Sequence, residues 1–508
     1  MESTSLIIRA DADPQIGTGH VMRCLALAQA WQRRGGQVLF VTAPTAPALE
    51  TRLQAEGMDV VHVTAQPGSN EDARQTAAWA RQKYKAWIAA DGYHFDATYQ
   101  RIIKDSGNKL LALDDYGHTQ HYYADIILNQ NLHAHEKLYL RRESATRLLL
   151  GSRYILLRRE FLHGPVRPRE LPLTARKMLV TLGGSDPENV TEKVLQALRQ
   201  LPLAEWEATV VVGGSNPNVG QLCDLINVLQ LPIHLEHNVA NIARLMAWAD
   251  MAISAAGSTA WELACMAVPS LLIAVADNQR PIAEHLDRAG TAINLGWHQT
   301  LTICDIIRAL RELSVSGEQR RDMAQRGRTL IDGHGADRVV MAMRGDPLRL
   351  RRVGAEDCQL LWEWANDPEV RAVSFSSAPI RWQDHLQWFH AKLQDAYCLF
   401  CIAIDSEDVP VGQVRYDLKD AHALISLSLD RQQRSKGYGS ALLRLSAHAL
   451  FATTTHTTIY AYVKPENQAS VRAFERAGYA NTGMTITEGQ SAVLLTLEKD
   501  TIGEGLKQ

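Results

Sequence analysis

Apolar, strand-like runs alternate with longer helical patterns from the beginning of the chain. LIIRA is followed by the helical VMRCLALAQAWQRR, then by QVLFVTA, by the helical APALETRLQAEG and by DVVHVT. This alternation is typical of a parallel sheet with helices on both faces. KAWIAADGY and KLLALDDYG continue it, and each strand-like run ends in acidic and aromatic residues. Functional groups collect at the carboxyl ends of such strands, so the pattern predicts a doubly wound lobe with a site along one edge.

The alternation restarts after a polar, proline-bearing stretch that extends from Arg159 to Lys177. KMLVTLGG, EATVVVGG, MAISAAG and VPSLLIAVA form the strand-like runs of this second region. Beyond a second boundary, Arg344 to Cys358, YCLFCIAID, VGQVRYDL and ALISLSLD alternate like antiparallel strands, and WEWANDPEV and WQDHLQWFHAKL have helical patterns. We therefore predict two doubly wound α/β lobes, residues 1–165 and 166–345, followed by an α+β domain, residues 346–508.

Composition and charge narrow the class of protein. The 508 residues are 46% hydrophobic and 21% charged, with a formal net charge of −3. This balance is ordinary for a soluble protein and gives no global attraction to nucleic acid or to an acidic membrane. We find no apolar run of transmembrane length and no signal-peptide pattern. Seven scattered cysteines favour a reducing compartment, so the expected location is the cytoplasm.

The stretch IGTGHVMRC places a histidine directly after a glycine-rich turn. Gly17 and Gly19 permit a tight strand-to-helix turn and close approach of a ligand, and the helix N-terminus favours phosphate. His20, Val21 and Met22 stand where a dinucleotide fingerprint needs a third glycine, which argues against a nicotinamide cofactor. We predict that His20 points into a cleft as a general base. The alternative is a histidine that only caps the helix.

The second lobe contributes two further glycine turns, LGGSDPENVT and SAAGSTAWELACM. Backbone N–H groups and hydroxyls at a helix N-terminus can hold a diphosphate, and Glu262, one turn later, can accept hydrogen bonds from ribose hydroxyls. Two such turns in a two-lobed protein indicate a nucleotide-sugar site. The candidate binding residues in these turns are Gly183, Gly184, Ser254, Gly257, Ser258 and Thr259.

Four segments, ADADPQIGTGHVMRCLALA, LDDYGH, LGGSDPENVT and SAAGSTAWELACM, resemble the UDP-sugar hydrolases of pseudaminic acid biosynthesis. Those enzymes are similar to the two-lobed GT-B glycosyltransferases, and the resemblance covers about the first 345 residues. It implies hydrolysis of UDP-2,4-diacetamido-2,4,6-trideoxy-β-L-altropyranose to the free sugar and UDP. In that reaction His20 would activate the water that attacks the anomeric carbon.

The resemblance also implies roles for other residues. Gly17 and Gly19 would lie beside the diphosphate, Gly257, Ser258 and Thr259 would hold phosphate, and Glu262 would bind the ribose. Two residues of the second lobe would contact the sugar. Four residues at strand ends of the first lobe would orient His20 or water, and the sequence does not rank these four. Caps and turns are an equally open interpretation of the acidic residues and the tyrosine. These residues are Asn278 and Gln279 for the sugar, and Asp13, Asp91, Tyr93 and Asp115 for orientation.

In the C-terminal domain, RQQRSKGYGSALL predicts a glycine turn that enters a helix, with an anion nest sized for pyrophosphate. Together with VKPENQASVRAFERAGY, this segment resembles the GNAT acetyltransferases and their Arg/Gln-x-x-Gly-x-Gly/Ala signature for coenzyme A. The resemblance implies acetyl-CoA as the acetyl donor. The residues expected to bind it are Arg434, Ser435, Lys436, Gly437, Tyr438, Gly439 and Asn467.

One position departs from the GNAT pattern. Many of these enzymes carry a tyrosine seven residues after the asparagine to protonate the leaving thiolate, but here Phe474 occupies that position. Tyr438, Tyr462, Ser470 or water remain candidates for the acid. The candidates for the base that deprotonates the amine are His385, His390 and Glu363.

The two resemblances together predict a bifunctional enzyme that acetylates the 4-amino group of a UDP-sugar and then releases UDP. Alternatives are a GT-B glycosyltransferase, or a hydrolase of a related route such as that to legionaminic acid, with a non-catalytic coenzyme A-binding domain. We expect no metal. Cys398 and Cys401 occupy opposite faces of a strand-like run. The histidines at 118, 121, 133 and 135 fall in a polar stretch without compact ligand spacing.

Overall fold

The computed structural model describes residues 5–12, 17–45, 47–83, 86–162, 170–201, 206–214, 216–230, 232–237, 239, 241–420, 422–487 and 489–501. The described residues within 4–31 and 37–339 form one compact unit, here called the two-lobed unit. Those within 32–36 and 340–508 form the other, the C-terminal unit. The predicted boundary at residue 165 lies outside the described residues. No helix in the described part of the chain is long and apolar enough to cross a membrane.

A seven-stranded parallel sheet forms the N-terminal lobe, in the order β3-β2-β1-β4-β5-β6-β7. Its central strands are apolar at successive positions because both faces are covered. The strands are β1 Ser5–Ala10, β2 Gln37–Thr42, β3 Asp59–His62, β4 Trp87–Asp91, β5 Lys109–Leu113, β6 Ile126–Asn129 and β7 Arg147–Leu150. The helices are α1 Gly19–Gln32, α2 Pro47–Ala55, α3 Asn70–Arg81, α4 Ala97–Asp105 and α5 Arg159–Leu162.

The second lobe repeats this design with six parallel strands, in the order β10-β9-β8-β11-β12-β13. The strands are β8 Lys177–Thr181, β9 Glu207–Val212, β10 Ile233–His237, β11 Met251–Ala255, β12 Ser270–Ala274 and β13 Ala292–Trp297. The helices are α6 Val190–Arg199, α7 Val219–Leu229, α8 Ile242–Trp248, α9 Ser258–Cys265, α10 Arg280–Arg288, α11 Ile303–Val315, α12 Gly317–Leu330 and α13 Gly335–Arg344.

Both sheets reverse their strand order beside their first strand, between β1 and β4 and between β8 and β11. At such a switch point the loops that leave the two strands diverge to opposite faces, and a crevice opens at the carboxyl edge of the sheet. The GTG turn follows β1 and the two glycine turns of the second lobe follow β8 and β11. All three predicted glycine turns therefore lie at switch points.

The C-terminal unit contains a mixed seven-stranded sheet, in the order β14-β15-β16-β17-β18-β20-β19. Strands β17 and β18 are its parallel pair and are paired at two positions, Ala423 with Ile459 and Leu424 with Tyr460. The strands are β14 Arg349–Arg352, β15 Cys398–Ile404, β16 Pro410–Leu418, β17 Ala423–Leu429, β18 Thr458–Val463, β19 Ala480–Thr487 and β20 Gln490–Glu498. The helices are α14 Cys358–Ala365, α15 Pro368–Val373, α16 Trp382–Gln394, α17 Tyr438–Thr453 and α18 Gln468–Arg476.

The predicted fold class, two parallel α/β lobes followed by an α+β domain with a mixed sheet, is confirmed. One element differs in detail, because WEWANDPEV does not form a continuous helix. Helix α14 ends at Ala365, and the carboxylate of Asp367 caps a new helix by accepting from the N–H groups of Glu369 and Val370. Pro368 occupies the first helical position, where its missing N–H has no intrahelical partner to lose.

The buried positive charge of Arg9 in the N-terminal lobe is compensated by two carboxylates. The side chain of Arg9, in the central strand β1, is fully buried and donates to both carboxylate oxygens of Asp72 at 2.9 Å. It also donates to Asp11 at 2.6 Å. Paired and hydrogen-bonded in this way, the guanidinium can occupy the interior of the lobe, where an unpaired charge would be strongly destabilising.

Gly213 is required by close packing between two turns of the second lobe. A Cβ at this position would lie 2.2 Å from the backbone oxygen of Gly184, so Gly213→Ala forces the turn after β8 to move. We expect a loss of about 1–3 kcal/mol of unfolding free energy, measured by urea denaturation. Gly220→Ala, in α7 with open space around it, is the matched control and should be neutral or slightly stabilising. Equal losses in the two variants would contradict this account.

Candidate functional site

The turn that carries His20 lies at the switch point of the N-terminal lobe. Ala10, the last residue of β1, pairs with Asp91, the last residue of β4, so the two strands end side by side. Gly17 has φ +75°, in the left-handed region that favours glycine. A Cβ at Gly17 or at Gly19 would meet none of the described atoms within 4 Å, so neither glycine is packed against another described segment.

His20 forms a dyad with Asp91. Its Nδ1 lies 2.6 Å from Oδ1 of Asp91, whose side chain is fully buried, whereas the side chain of His20 is 11% exposed. A carboxylate at this distance favours the tautomer with the proton on Nδ1, which leaves a lone pair on Nε2. Within the described part of the chain, no residue forms a hydrogen bond with that Nε2 atom. The arrangement is that of an oriented base.

Asp91 is held in its ionised form by Arg23. Nε of Arg23 donates to Oδ2 of Asp91 at 2.6 Å, and Nη2 donates to Oδ1 at 2.6 Å. Burial by itself favours the neutral acid, but the charges of Arg23 and His20 outweigh it and hold the pKa of Asp91 well below its usual range. Asp91 is therefore a carboxylate at neutral pH.

Asp115, two residues after β5, is a second carboxylate in the cluster. It accepts from Nη1 of Arg23 at 2.9 Å, from the hydroxyl of Tyr93 at 2.8 Å and from the amide of Asn131 at 2.7 Å. Burial opposes ionisation here too, yet Arg23 lowers the pKa of Asp115. The ring edge of Tyr93 contacts His20 with centroids 5.2 Å apart. Burial and the charge of Asp115 raise the pKa of Tyr93, so its phenol acts as a donor.

Of the predicted catalytic group, the structure brings His20, Asp91 and Tyr93 together with Asp115, while Asp13 lies outside the described residues. Sequence reasoning missed Arg23. Arg23 is the single acidic or basic residue of α1 apart from His20, and it lies one helical turn after that histidine. This position is the sequence feature that could have identified it.

The turn after β8 approaches the turn that carries His20. Gly183 has φ +97°, and a Cβ on Gly184 would lie 3.7 Å from the hydroxyl of Thr18. Asp186, in the same turn, is buried and caps α6 by accepting from the N–H groups of Val190 and Thr191. The predicted residue Gly184 thus adjoins Thr18 of the N-terminal lobe, while Asp186 serves the local structure.

The first turn of α9 presents backbone N–H groups without a side-chain cap. Its N-cap residue, Gly257, has no capping hydrogen bond, Ser258 is exposed and Thr259 is half-buried. A Cβ on Gly257 would lie 3.6 Å from Nε2 of Gln279, so this turn adjoins the Asp277–Gln279 turn, in which Asn278 is exposed. Free N–H groups at a helix N-terminus favour an anionic ligand.

Two other predicted binding residues are occupied by contacts within the protein. Ser254 is fully buried, and its hydroxyl donates to the carbonyl of Ala255 at 3.0 Å, so it is not presented to a ligand. Glu262 lies 3.1 Å from Nη2 of Arg158. Burial raises the pKa of Glu262, against the opposing effect of Arg158. A ribose hydroxyl bound at Glu262 would share the carboxylate with that arginine.

In the C-terminal unit, the predicted pyrophosphate loop has the backbone of an anion nest. Ser435 has φ +65° and Gly437 has φ +81°, and alternation of this kind turns successive N–H groups toward one point. The loop is exposed, and α17 begins at Tyr438 with no side-chain cap. The N–H groups up to Gly439 are available to an anion. Lys436 donates from its ammonium group to Gln433 at 2.9 Å.

Two side chains that are predicted to bind coenzyme A, those of Arg434 and Asn467, have partners within the protein. Arg434 donates to Glu369 at 2.6 Å and to Asp367 at 2.8 Å, which ties the loop to α15. Asn467 caps α18 by accepting from the N–H of Ser470 at 3.1 Å. In this arrangement an anion would be bound by the backbone of the loop more than by these two side chains.

Phe474 is a core residue, buried and in edge-to-face contact with Tyr479 at 4.9 Å between centroids. His385, a candidate base, is also buried, and its Nε2 lies 3.0 Å from the carbonyl oxygen of Cys358. Burial lowers the pKa of His385. His385 therefore packs in the core, whereas the other two candidates for the base, His390 and Glu363, are exposed.

Three of the four histidines considered for metal binding have separate partners. His118 lies beside Asp114, His121 pairs with Glu143 at 2.8 Å, and His133 contacts the backbone of Asp115. In the described ranges, no group of three or more His, Cys, Asp or Glu side chains is placed to hold a metal ion.

Two family models match parts of the chain. The glycosyltransferase family 28 C-terminal domain matches residues 178–335, which form the second lobe. The acetyltransferase (GNAT) domain matches residues 347–480 of the C-terminal unit. The protein therefore combines a GNAT acetyltransferase domain with a domain like the C-terminal domain of glycosyltransferase family 28.

Three distant relatives among the curated proteins match about one half to three quarters of the chain. An uncharacterised protein of Methanocaldococcus jannaschii is 21% identical over 76% of this chain and 78% of its own length. The spore coat polysaccharide biosynthesis protein SpsG of Bacillus subtilis is 25% identical over 66% of this chain and 97% of its own. The UDP-2,4-diacetamido-2,4,6-trideoxy-β-L-altropyranose hydrolase of Campylobacter jejuni is 26% identical over 56% of this chain and 97% of its own.

The lowered pKa of Asp91 makes the stability of the two-lobed unit depend on pH. A carboxyl with a depressed folded-state pKa stabilises the fold above its unfolded pKa, about 3.9, and that contribution is lost as pH falls through the folded value. We expect Asp91→Asn to cost about 3 kcal/mol at pH 7 and to flatten the loss of stability below about pH 4. Urea midpoints between pH 3 and 7 measure both effects. Asp105→Asn, at an exposed ion pair, should change little, and an unchanged midpoint in Asp91→Asn would contradict this expectation.

Proposed function

We propose that the two-lobed unit hydrolyses UDP-2,4-diacetamido-2,4,6-trideoxy-β-L-altropyranose to UDP and the free sugar. We further propose that the C-terminal unit forms the required substrate by transferring an acetyl group from acetyl-CoA to the 4-amino group of the preceding UDP-sugar. The His20–Asp91 dyad at a switch point carries the first assignment, because it provides an oriented base beside a glycine turn. The Campylobacter jejuni relative supports the choice of substrate.

In the proposed hydrolysis, Nε2 of His20 accepts a proton from water as the water oxygen bonds to the anomeric carbon. The bond from that carbon to the phosphate oxygen breaks, and UDP leaves with the electron pair. Asp91 stabilises the imidazolium that forms, and its bond to Nδ1 keeps the ring in place. Tyr93 packs against the ring and limits its rotation.

The leaving diphosphate requires positive potential on the opposite side of the sugar. The uncapped first turn of α9 supplies N–H groups and the positive end of the helix dipole, and the Gly183–Gly184 turn adjoins Thr18. We assign contact with the sugar or its phosphate to Asn278 and Gln279, and the side chain of Gln279 adjoins Gly257. Fixed dipoles that already face a developing charge lower the barrier without reorganisation.

In the proposed acetyl transfer, the amine nitrogen bonds to the thioester carbonyl carbon, the carbon–sulfur bond breaks, and the proton that the nitrogen loses ends on the departing thiolate of coenzyme A. The nest around Ser435 and Gly437 would bind the pyrophosphate. The parallel pair β17 and β18 is joined at two positions, which leaves backbone groups further along β17 open to an extended, amide-bearing chain. The match to the GNAT family model supports this assignment.

The base assignment is tested with His20→Ala. We expect kcat for UDP release from the diacetamido UDP-sugar to fall by about 10²–10⁴-fold, the usual contribution of a general base. His121→Ala, which removes an imidazole paired with Glu143 elsewhere in the same lobe, is the matched control and should retain wild-type kcat.

The same assay in H₂¹⁸O identifies the bond that breaks. Label in the sugar and not in UDP is expected for attack at the anomeric carbon. Label in UDP would overturn the proposed geometry. UDP release only after addition of a second sugar or lipid acceptor would identify a glycosyltransferase instead.

The role of the Ser435–Gly437 anion nest in binding acetyl-CoA is tested with Gly437→Ala, which places a side chain on a residue with φ +81°. We expect KM for acetyl-CoA to rise at least about 10-fold, because the strained loop no longer directs its N–H groups to one point. Gly478→Ala, at φ +97° beyond α18, carries a similar backbone penalty and should leave this KM unchanged. Tight acetyl-CoA binding without turnover in the wild type would instead indicate a non-catalytic binding domain.

A further inference from the structure

Arg23 bridges two carboxylates beneath His20. It lies one turn beyond His20 on α1, and its guanidinium binds Asp91 through Nε and Nη2, each at 2.6 Å. The other edge of the guanidinium binds Asp115 through Nη1, at 2.9 and 3.1 Å, and through Nη2 at 3.1 Å. All three nitrogen atoms are thus used, and the planar fork fixes the orientation of both carboxylates.

The charges in this cluster require an arginine. Two carboxylates that lie close together and are screened from water cannot both ionise without a cation between them. The guanidinium keeps its proton at all physiological pH values, so it supplies a constant positive charge. The pKa values of Asp91 and Asp115 both lie below the usual range, with Arg23 as the main cause that opposes burial.

Arg23 also acts on His20 directly. Its Nη2 lies 3.3 Å from Nδ1 of His20, so its charge opposes protonation of the imidazole, whereas the charge of Asp91 favours it. The ring of Tyr93, whose hydroxyl donates to Asp115, also packs against the imidazole. His20 therefore lies between the carboxylate of Asp91 and the guanidinium of Arg23, so the loss of either charge changes the electrostatic potential at the imidazole.

We infer that Arg23 is a positioning residue that keeps Asp91 aimed at Nδ1 of His20 and whose charge opposes protonation of the imidazole, so that Nε2 can accept a proton from water. This inference rests on the proposed hydrolysis for its role in catalysis. Its structural part, control of the protonation and tautomer of His20, is measurable without a substrate.

The test is an NMR titration of the full-length protein labelled with ¹⁵N at histidine, in which His20→Gln identifies the His20 signals. Arg23→Gln should move the His20 titration midpoint to higher pH by about one unit or more, because the cation is lost and the anion remains. Arg23→Lys keeps the charge but not the fork, so a smaller shift is expected. The matched control is Arg9→Gln, which removes another buried, carboxylate-paired arginine of the same lobe that does not contact His20.

The activity measurement adds a second readout. For Arg23→Gln we expect kcat for UDP release to fall by about 10–100-fold at pH 7, with partial recovery at higher pH where His20 is neutral again. Arg9→Gln should change stability without moving the acid limb of the pH profile. A residue with only a structural role would behave like Arg9.

A second variant covers the case in which Arg23→Gln does not fold. Arg23→Gln with Asp115→Asn removes one positive and one negative charge, so the net charge of the cluster is conserved. The double variant should fold and should still show the raised His20 midpoint, since Asp91 remains without Arg23. A His20 midpoint and tautomer like those of the wild type, in either folded variant, would overturn the inference. If the wild type releases no UDP, the proposed hydrolysis fails while the titration still decides the role of Arg23.

Discussion

Parallel pairing of β1, β4 and β5 is the constraint on which the candidate site depends. In a parallel sheet all carboxyl ends lie at one edge, so the residues that follow these three strands are neighbours in space although they are far apart in the chain. Asp91 ends β4 opposite Ala10 and Leu113, and Asp115 follows Leu113 by two residues. A change in strand order would separate the dyad from its supporting charges.

The charges at that edge form one coupled unit. Arg23 neutralises part of the charge of Asp91 and Asp115, Asp91 orients His20, and Tyr93 connects Asp115 with the ring of His20. Because the group is largely removed from water, each charge affects the others more strongly than it would at a surface. Arg9 shows the same kind of buried pairing, with Asp72 and Asp11, and among the described residues it has no hydrogen bond or ion pair with His20.

Close approach of two backbone segments accounts for Gly213 in the second lobe. Gly213 leaves room for the backbone of Gly184, and Gly184 in turn adjoins Thr18. Thr18, in the turn after β1, and Gly184, in the turn after β8, are therefore neighbours across the two lobes. In the C-terminal unit the glycine serves conformation instead, because the left-handed backbone at Gly437 turns the N–H groups of the nest.

The sequence by itself determined the fold class and the glycine turns, because both depend on local patterns: continuous apolar runs, helical periodicity and the conformational freedom of glycine. It also pointed to His20, whose place after such a turn is visible in a few residues. Tertiary structure alone decided which groups surround His20, since Asp91 is 71 residues distant and the partners Arg23 and Asp115 are 92 residues apart. It also decided that Ser254 and His385 are buried and that Glu262 is paired with Arg158. Burial and long-range pairing depend on how strands and helices assemble, which no short stretch of sequence encodes.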